Sequence, residues 1–224
     1  MKNVIARSAS AVIAFTAAVA TSQASAQSTT GYPVRPRPMN EHEEIALAVS
    51  AAPSEISQAA DVWVLRDGGP AKARAGTNGC ACMVSRDLHD GSLYPICFDR
   101  EATRTVLKRE LMELTLRAAG KSEEEVQRAI TAAYDRGELV TPAKPAVAYM
   151  MSSRQVLFSS PLAEGRRVGA WSPHVMIYMP GATGEQFGLA KESKVTQFFV
   201  SDDGTRGAHF IVKVPQWADS LPPR

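Results

Sequence analysis

The sequence predicts an α+β domain: a mostly antiparallel sheet with a helical hairpin inserted between N-terminal and C-terminal strands. Two observations predict it. Segments of β composition flank the middle of the chain, at 61–98 and at 146–214. Between them, two stretches carry apolar residues at helical spacing, and Gly120 and Gly137 end those stretches.

The chain opens with the three parts of a secretory signal peptide over residues 1–26. Lys2 and Arg7 supply positive charge, residues 11–20 are apolar, and Ala24-Ser25-Ala26 offers small side chains for cleavage. The apolar run is shorter than the about 20 residues that span a bilayer. No later run reaches that length, so the expectation is export to the periplasm or medium, with no transmembrane segment after cleavage. Residues 27–40 read as a flexible leader rich in Ser, Thr, Gly and Pro, and residues 41–224 as a single α+β domain. Of 25 basic and 23 acidic residues, the signal takes two basic ones and no acidic one. The remainder is formally neutral, which removes the electrostatic case for nucleic acid or anionic lipid as a partner.

Residues 41–52 are expected to be helical. Asn40 can accept from a first-turn amide, acidic residues favour the positive helix end, and Pro53 stops it. Ile45, Ala48, Val49 and Ala52 would share its buried face. Strands are expected at 61–66, 71–75 and 80–84. Asp67-Gly68-Gly69-Pro70 would turn between the first two, and Gly76-Thr77-Asn78-Gly79 would form a hairpin before the third. A polar loop at 85–94 leads to a short extended piece at 95–98. Helices follow at 103–119 and from Ser122, where Ser122 and Glu125 form a capping box. Further strands are expected at 146–151, 155–158, 174–179, 197–201 and 208–214, with Asp202-Asp203-Gly204 turning between the last two.

Export permits disulfides, and the chain has Cys80, Cys82 and Cys97. Cys80 and Cys82 share a strand face, so either can bridge to Cys97 but not both. A bridge closing about 15 residues contributes on the order of 3 kcal/mol. Three thiolates without a nearby fourth ligand make a weak zinc site. Of the histidines, His42 and His89 are expected in solvent. His174 and His209 each open an apolar strand; converging imidazoles would bind metal or move a proton. Met150, Met151, Met176 and Met179 cluster in the same third of the chain. Thioether with imidazole suits copper(I), although methionine also serves as core filler. No G-x-S-x-G, H-E-x-x-H, P-loop or Rossmann fingerprint occurs.

The pieces Gly76-Thr77-Asn78-Gly79-Cys80-Ala81-Cys82-Met83, Pro95-Ile96-Cys97-Phe98-Asp99, Ala148-Tyr149-Met150, Pro173-His174-Val175-Met176 and Ala208-His209-Phe210-Ile211-Val212 together resemble a group of secreted bacterial proteins described only as hypothetical. The resemblance spans about residues 52–215. It implies that Cys82 pairs with Cys97 and that Cys80 is an extra thiol, because relatives carry an aromatic residue there. It also implies that Asn78, Asp99, Tyr149, His174 and His209 share a site or a structural junction. It carries no substrate or cofactor.

The functional expectation is an exported binding or accessory protein for an unidentified ligand or envelope partner. Its site would be lined by His174, His209, Tyr149 and Met176, with Asn78 and Asp99 as polar contributors. The alternatives are a histidine-dependent hydrolase or lyase, a periplasmic copper or zinc binder, and a structural envelope protein with no small-molecule site.

Overall fold

The computed structural model describes residues 38–86, 91–158, 167–169, 171–189 and 197–220. The signal sequence, most of the leader and His89 lie outside the described residues. Ten strands are described: β1 (Asp61–Arg66), β2 (Gly69–Arg74), β3 (Ala81–Arg86), β4 (Leu93–Phe98), β5 (Ala146–Met150), β6 (Leu157–Phe158), β7 (Arg167–Gly169), β8 (His174–Tyr178), β9 (Phe198–Ser201) and β10 (His209–Lys213). Eight of them form one sheet in the order β2-β1-β3-β4-β5-β8-β10-β9, while β6 and β7 make a small separate ribbon. Every neighbouring pair in the large sheet is antiparallel except β1 with β3. Helices α1 (Glu41–Val49), α2 (Ser54–Ser57) and α3 (Arg100–Arg104) precede the hairpin of α4 (Val106–Ala118) and α5 (Glu123–Asp135). The fold is α+β, with that hairpin between the N-terminal and C-terminal strands.

At β1, β3 and β4 the sheet is covered on both faces. On one, Leu47, Ala48 and Ala51 of the α1 segment pack on Val62, Val64, Cys82 and Val84. On the other, Val106, Leu107 and Leu114 of α4 pack on Met83, Ile96, Phe98 and Ala148. α5 docks on α4 outside the sheet through Val126, Ile130 and Ala133. Its capping box is present at Ser122 and Glu125.

Three local expectations change. The tetrapeptide Gly76–Gly79 is a crossover, not a hairpin turn. β3 lies on the far side of β1 from β2 and runs parallel to β1. The connection is tied to the start of β1. Gly76 N donates to Asp61 Oδ1 at 2.7 Å, Thr77 N to Ala59 O at 2.7 Å, and Asn78 Nδ2 to Ile56 O at 2.8 Å. Second, the helix expected at 103–119 is broken at Thr105, whose φ of −121° and ψ of −76° separate α3 from α4. Third, α1 buries Glu44 as well as the expected face, on which Ala48 and Ala52 are buried and Ile45 and Val49 pack against the core half-buried. Glu44 is 1% exposed, accepts from Leu65 N at 2.9 Å and pairs with buried Arg86 at 2.7 Å. A carboxylate survives burial only with such partners.

The disulfide joins Cys82 to Cys97, directly opposed on β3 and β4. Cys80 is a buried free thiol. Among the described residues, no helix is long and apolar enough to cross a membrane.

Candidate functional site

Strand register decides which candidate residues meet. Met150 faces His174 and Ala148 faces Met176 across β5 and β8. Tyr178 faces His209 across β8 and β10. Side chains alternate along a strand, so Met150, His174, Met176, Tyr178 and His209 share one face of the sheet, the α4 face. His174 and His209 nevertheless lie at opposite ends of their paired strands, because His174 faces Lys213. Four residues of rise separate them by roughly 14 Å along the strand direction.

A cavity of about 210 Å³ opens between this face and α4, lined among others by Met150, Met176, Tyr178, His209, Arg109 and Glu110. Tyr94 and Trp171 stack at its rim, with ring centroids 4.9 Å apart. Arg206 and Asp202 come to it from the loop before β10. Asp202 has φ 51°, the left-handed region that few residues other than glycine enter. Such backbone is held in place by its surroundings and gathers at binding sites.

Both histidines are oriented in the same way. The Nδ1 of each lies 2.8 Å from a carbonyl two residues back, Ser172 O for His174 and Gly207 O for His209. A carbonyl only accepts, so Nδ1 carries the proton when the ring is neutral and Nε2 is the basic nitrogen. Burial lowers the pKa of His174, and the charges of His209 and Lys213 lower it further, against the opposing carbonyl bond. It is therefore a neutral imidazole near pH 7. Tyr178 is raised far above the ordinary phenol range by burial and by the neighbouring Glu110. It stays protonated, and its hydroxyl donates to Met176 Sδ at 3.9 Å.

Glu110 enters the cavity from α4. Burial raises its carboxyl above the ordinary range, and the Glu113 carboxylate adds to the rise against the opposing Arg109. Arg109 donates to Glu110 at 2.9 Å and pairs with Glu113 at 3.0 Å, and these carboxylates hold it charged despite its own burial. Arg206 pairs with Asp135 and lies over the Tyr134 ring at 5.4 Å.

The other three candidates are elsewhere. Tyr149 projects from the opposite face, packed with the α1 core, and the charges of Asp99 and Cys80 act on it. Asp99 caps α3, its Oδ1 accepting from Ala102 N at 2.7 Å. Asn78 holds the crossover, and its Oδ1 accepts from Cys80 N at 3.0 Å. Burial pushes the Cys80 thiol up, the reverse of what an activated nucleophile requires. Of the six candidates, then, His209 and Met176 line the cavity and His174 adjoins it across the Trp171 ring, 6.3 Å away. Asn78, Asp99 and Tyr149 lie outside the cavity lining.

Sequence reasoning missed Glu110, Arg109 and Trp171. One signal was available: Glu110 falls three residues after Leu107 and four before Leu114, so an acid interrupts the apolar stripe of α4. Among the described residues, no three His, Cys, Asp or Glu side chains cluster to hold a metal ion. No family model, curated protein or solved structure matches the chain.

Proposed function

We propose that this chain is an exported binding or accessory protein whose cavity between α4 and the sheet takes a small organic molecule. The observation that carries the reading is the cavity itself: apolar walls from Ile96, Val106, Met150 and Met176 surround a few convergent polar groups, chiefly Glu110, Tyr178 and His209. That is the usual composition of a ligand site. Size narrows the ligand. The volume of about 210 Å³ lies below the roughly 300–1,000 Å³ of drug-sized sites, so a monosaccharide or a single amino acid is the scale that fits. Charge narrows it further. Arg109 is matched by Glu110 and Glu113, and Arg206 by Asp135, which favours a neutral or zwitterionic molecule over an anion. Export is supported by the signal-peptide pattern of residues 1–26 and is compatible with the disulfide.

The test is a thermal-shift panel of free monosaccharides and free amino acids against the disulfide-bonded protein and Val106→Phe, which adds a ring to the cavity wall. At least one probe should raise the parent's Tm and leave the variant's unchanged. No shift with any probe, or equal shifts in both proteins, would overturn the reading.

A further inference from the structure

The thioethers on the cavity wall have a second use. Methionine usually fills core space, and Met83 does so on this same face without lining the cavity. Met150 and Met176 differ: both line the cavity, and both neighbour one imidazole. Met150 faces His174 directly across β5 and β8, where opposed Cβ atoms lie about 4.5–5.5 Å apart. Met176 is two residues along β8 on the same face, roughly 7 Å away. A long, flexible thioether bridges either gap.

We propose that Met150, Met176 and His174 form a site for a soft monovalent cation, copper(I), at the Trp171 end of the cavity. The histidine is prepared for it. Its Nδ1 is engaged by Ser172 O, which leaves Nε2 as the donor atom, the arrangement that orients a metal-ligating imidazole. The ring is 4% exposed, so water competes poorly for that nitrogen. Met176 Sδ receives the Tyr178 hydroxyl on one lone pair and keeps the other. Trp171 lies beside His174 and lines the same cavity as both methionines, where its π face can meet a cation.

The donor set selects the metal. Hard cations need several carboxylates, and zinc takes a set of His, Cys or carboxylate ligands. No such cluster occurs among the described residues. Two thioethers and a neutral imidazole suit copper(I). The charged group facing His174 from β10 is Lys213, an exposed lysine free to extend into solvent. A single positive charge on the metal meets less repulsion there than a double one would. The inference does not rest on the organic-ligand reading, since these donors are in place whether or not an organic molecule enters.

The experiment is an anaerobic competition titration of the disulfide-bonded protein with copper(I) against bicinchoninate, following tryptophan emission. Variants are Met150→Leu with Met176→Leu, His174→Gln, and the controls Met83→Leu and His42→Gln, the latter exposed on α1. Leucine keeps the core volume, so the double variant should fold. The parent should retain stoichiometric copper(I) with quenched emission. Affinity should fall at least about tenfold in the double thioether variant and in His174→Gln, and stay unchanged in both controls. A folded parent that yields all its copper(I) to the chelator overturns the site. So does a double variant that binds as well as the parent, or a loss as large in His42→Gln as in His174→Gln. The Val106→Phe panel is read separately, so either reading can fail alone.

Discussion

Glu110 shows how one carboxyl sets the pH response of the site. Its folded-state pKa lies above the ordinary 4.5 because burial disfavours the charge. The stability linked to its proton is therefore fully present below about 4.5 and is lost as pH rises through the raised value. Glu110→Gln keeps the shape and removes the ionisation. Measured by urea midpoint between pH 4 and pH 8, the variant should gain on the parent steadily as pH rises. Two parallel profiles would show that the carboxyl titrates as it does in the unfolded chain. His174 works in the other direction. Its pKa is lowered from 6.5, so its contribution is lost as pH falls below that value. A carboxyl biased to stay protonated thus lines the cavity, and an imidazole biased to stay neutral lies beside it.

At the scale of elements, the crossover at Gly76 separates what local sequence encodes from what it does not. A Cβ on Gly76 would meet Ala60 C and Asp61 N, each at 2.3 Å, and both are backbone atoms that cannot move aside cheaply. Gly76→Ala is therefore expected to cost about 2–3 kcal/mol, or a Tm loss of about 5–10 °C for a domain of this size. Gly68→Ala, with nothing within 4 Å, is the control and should leave Tm unchanged. A Gly76 variant as stable as that control would mean the crossover relaxes freely. The strands at 61–66, 174–178 and 209–213 were legible because alternation and β-branched residues are local signals. The capping box was legible for the same reason. The crossover was not, because Gly-Thr-Asn-Gly serves a hairpin or a crossover equally well and the partner strand is chosen elsewhere. Nor was the burial of Glu44 on α1, which follows from Arg86 meeting it from the end of β3. At the site, His209 and Met176 were readable from strand position. Trp171, Glu110 and Asp202 were not, because a loop, a helix and a turn deliver them.

For the whole molecule, the Cys82–Cys97 bridge clamps two central strands, β3 and β4, on which both cores are built. Cys80 competes with it in principle. It sits two residues upstream, so a bridge from Cys80 to Cys97 calls for a two-residue slip of β3, and such a slip keeps every side chain on its own face. Hydrophobic patterning alone does not oppose that slip. What opposes it is the crossover, where Gly76, Thr77 and Asn78 fix the chain to residues 56–61. The native pairing therefore depends on contacts outside the two strands. The sequence separation of 15 corresponds to about 3 kcal/mol of stabilisation. Dithiothreitol should lower the urea unfolding free energy by about that amount in the parent and in Cys80→Ala alike. The oxidised Cys80→Ala protein should lie within about 1 kcal/mol of the oxidised parent, because it loses one small buried sulfur and no bridge. If reduction left the parent unchanged, the clamp would add nothing beyond the strand pairing around it. If Cys80→Ala alone reproduced the loss on reduction, Cys80, not Cys82, would be the partner of Cys97.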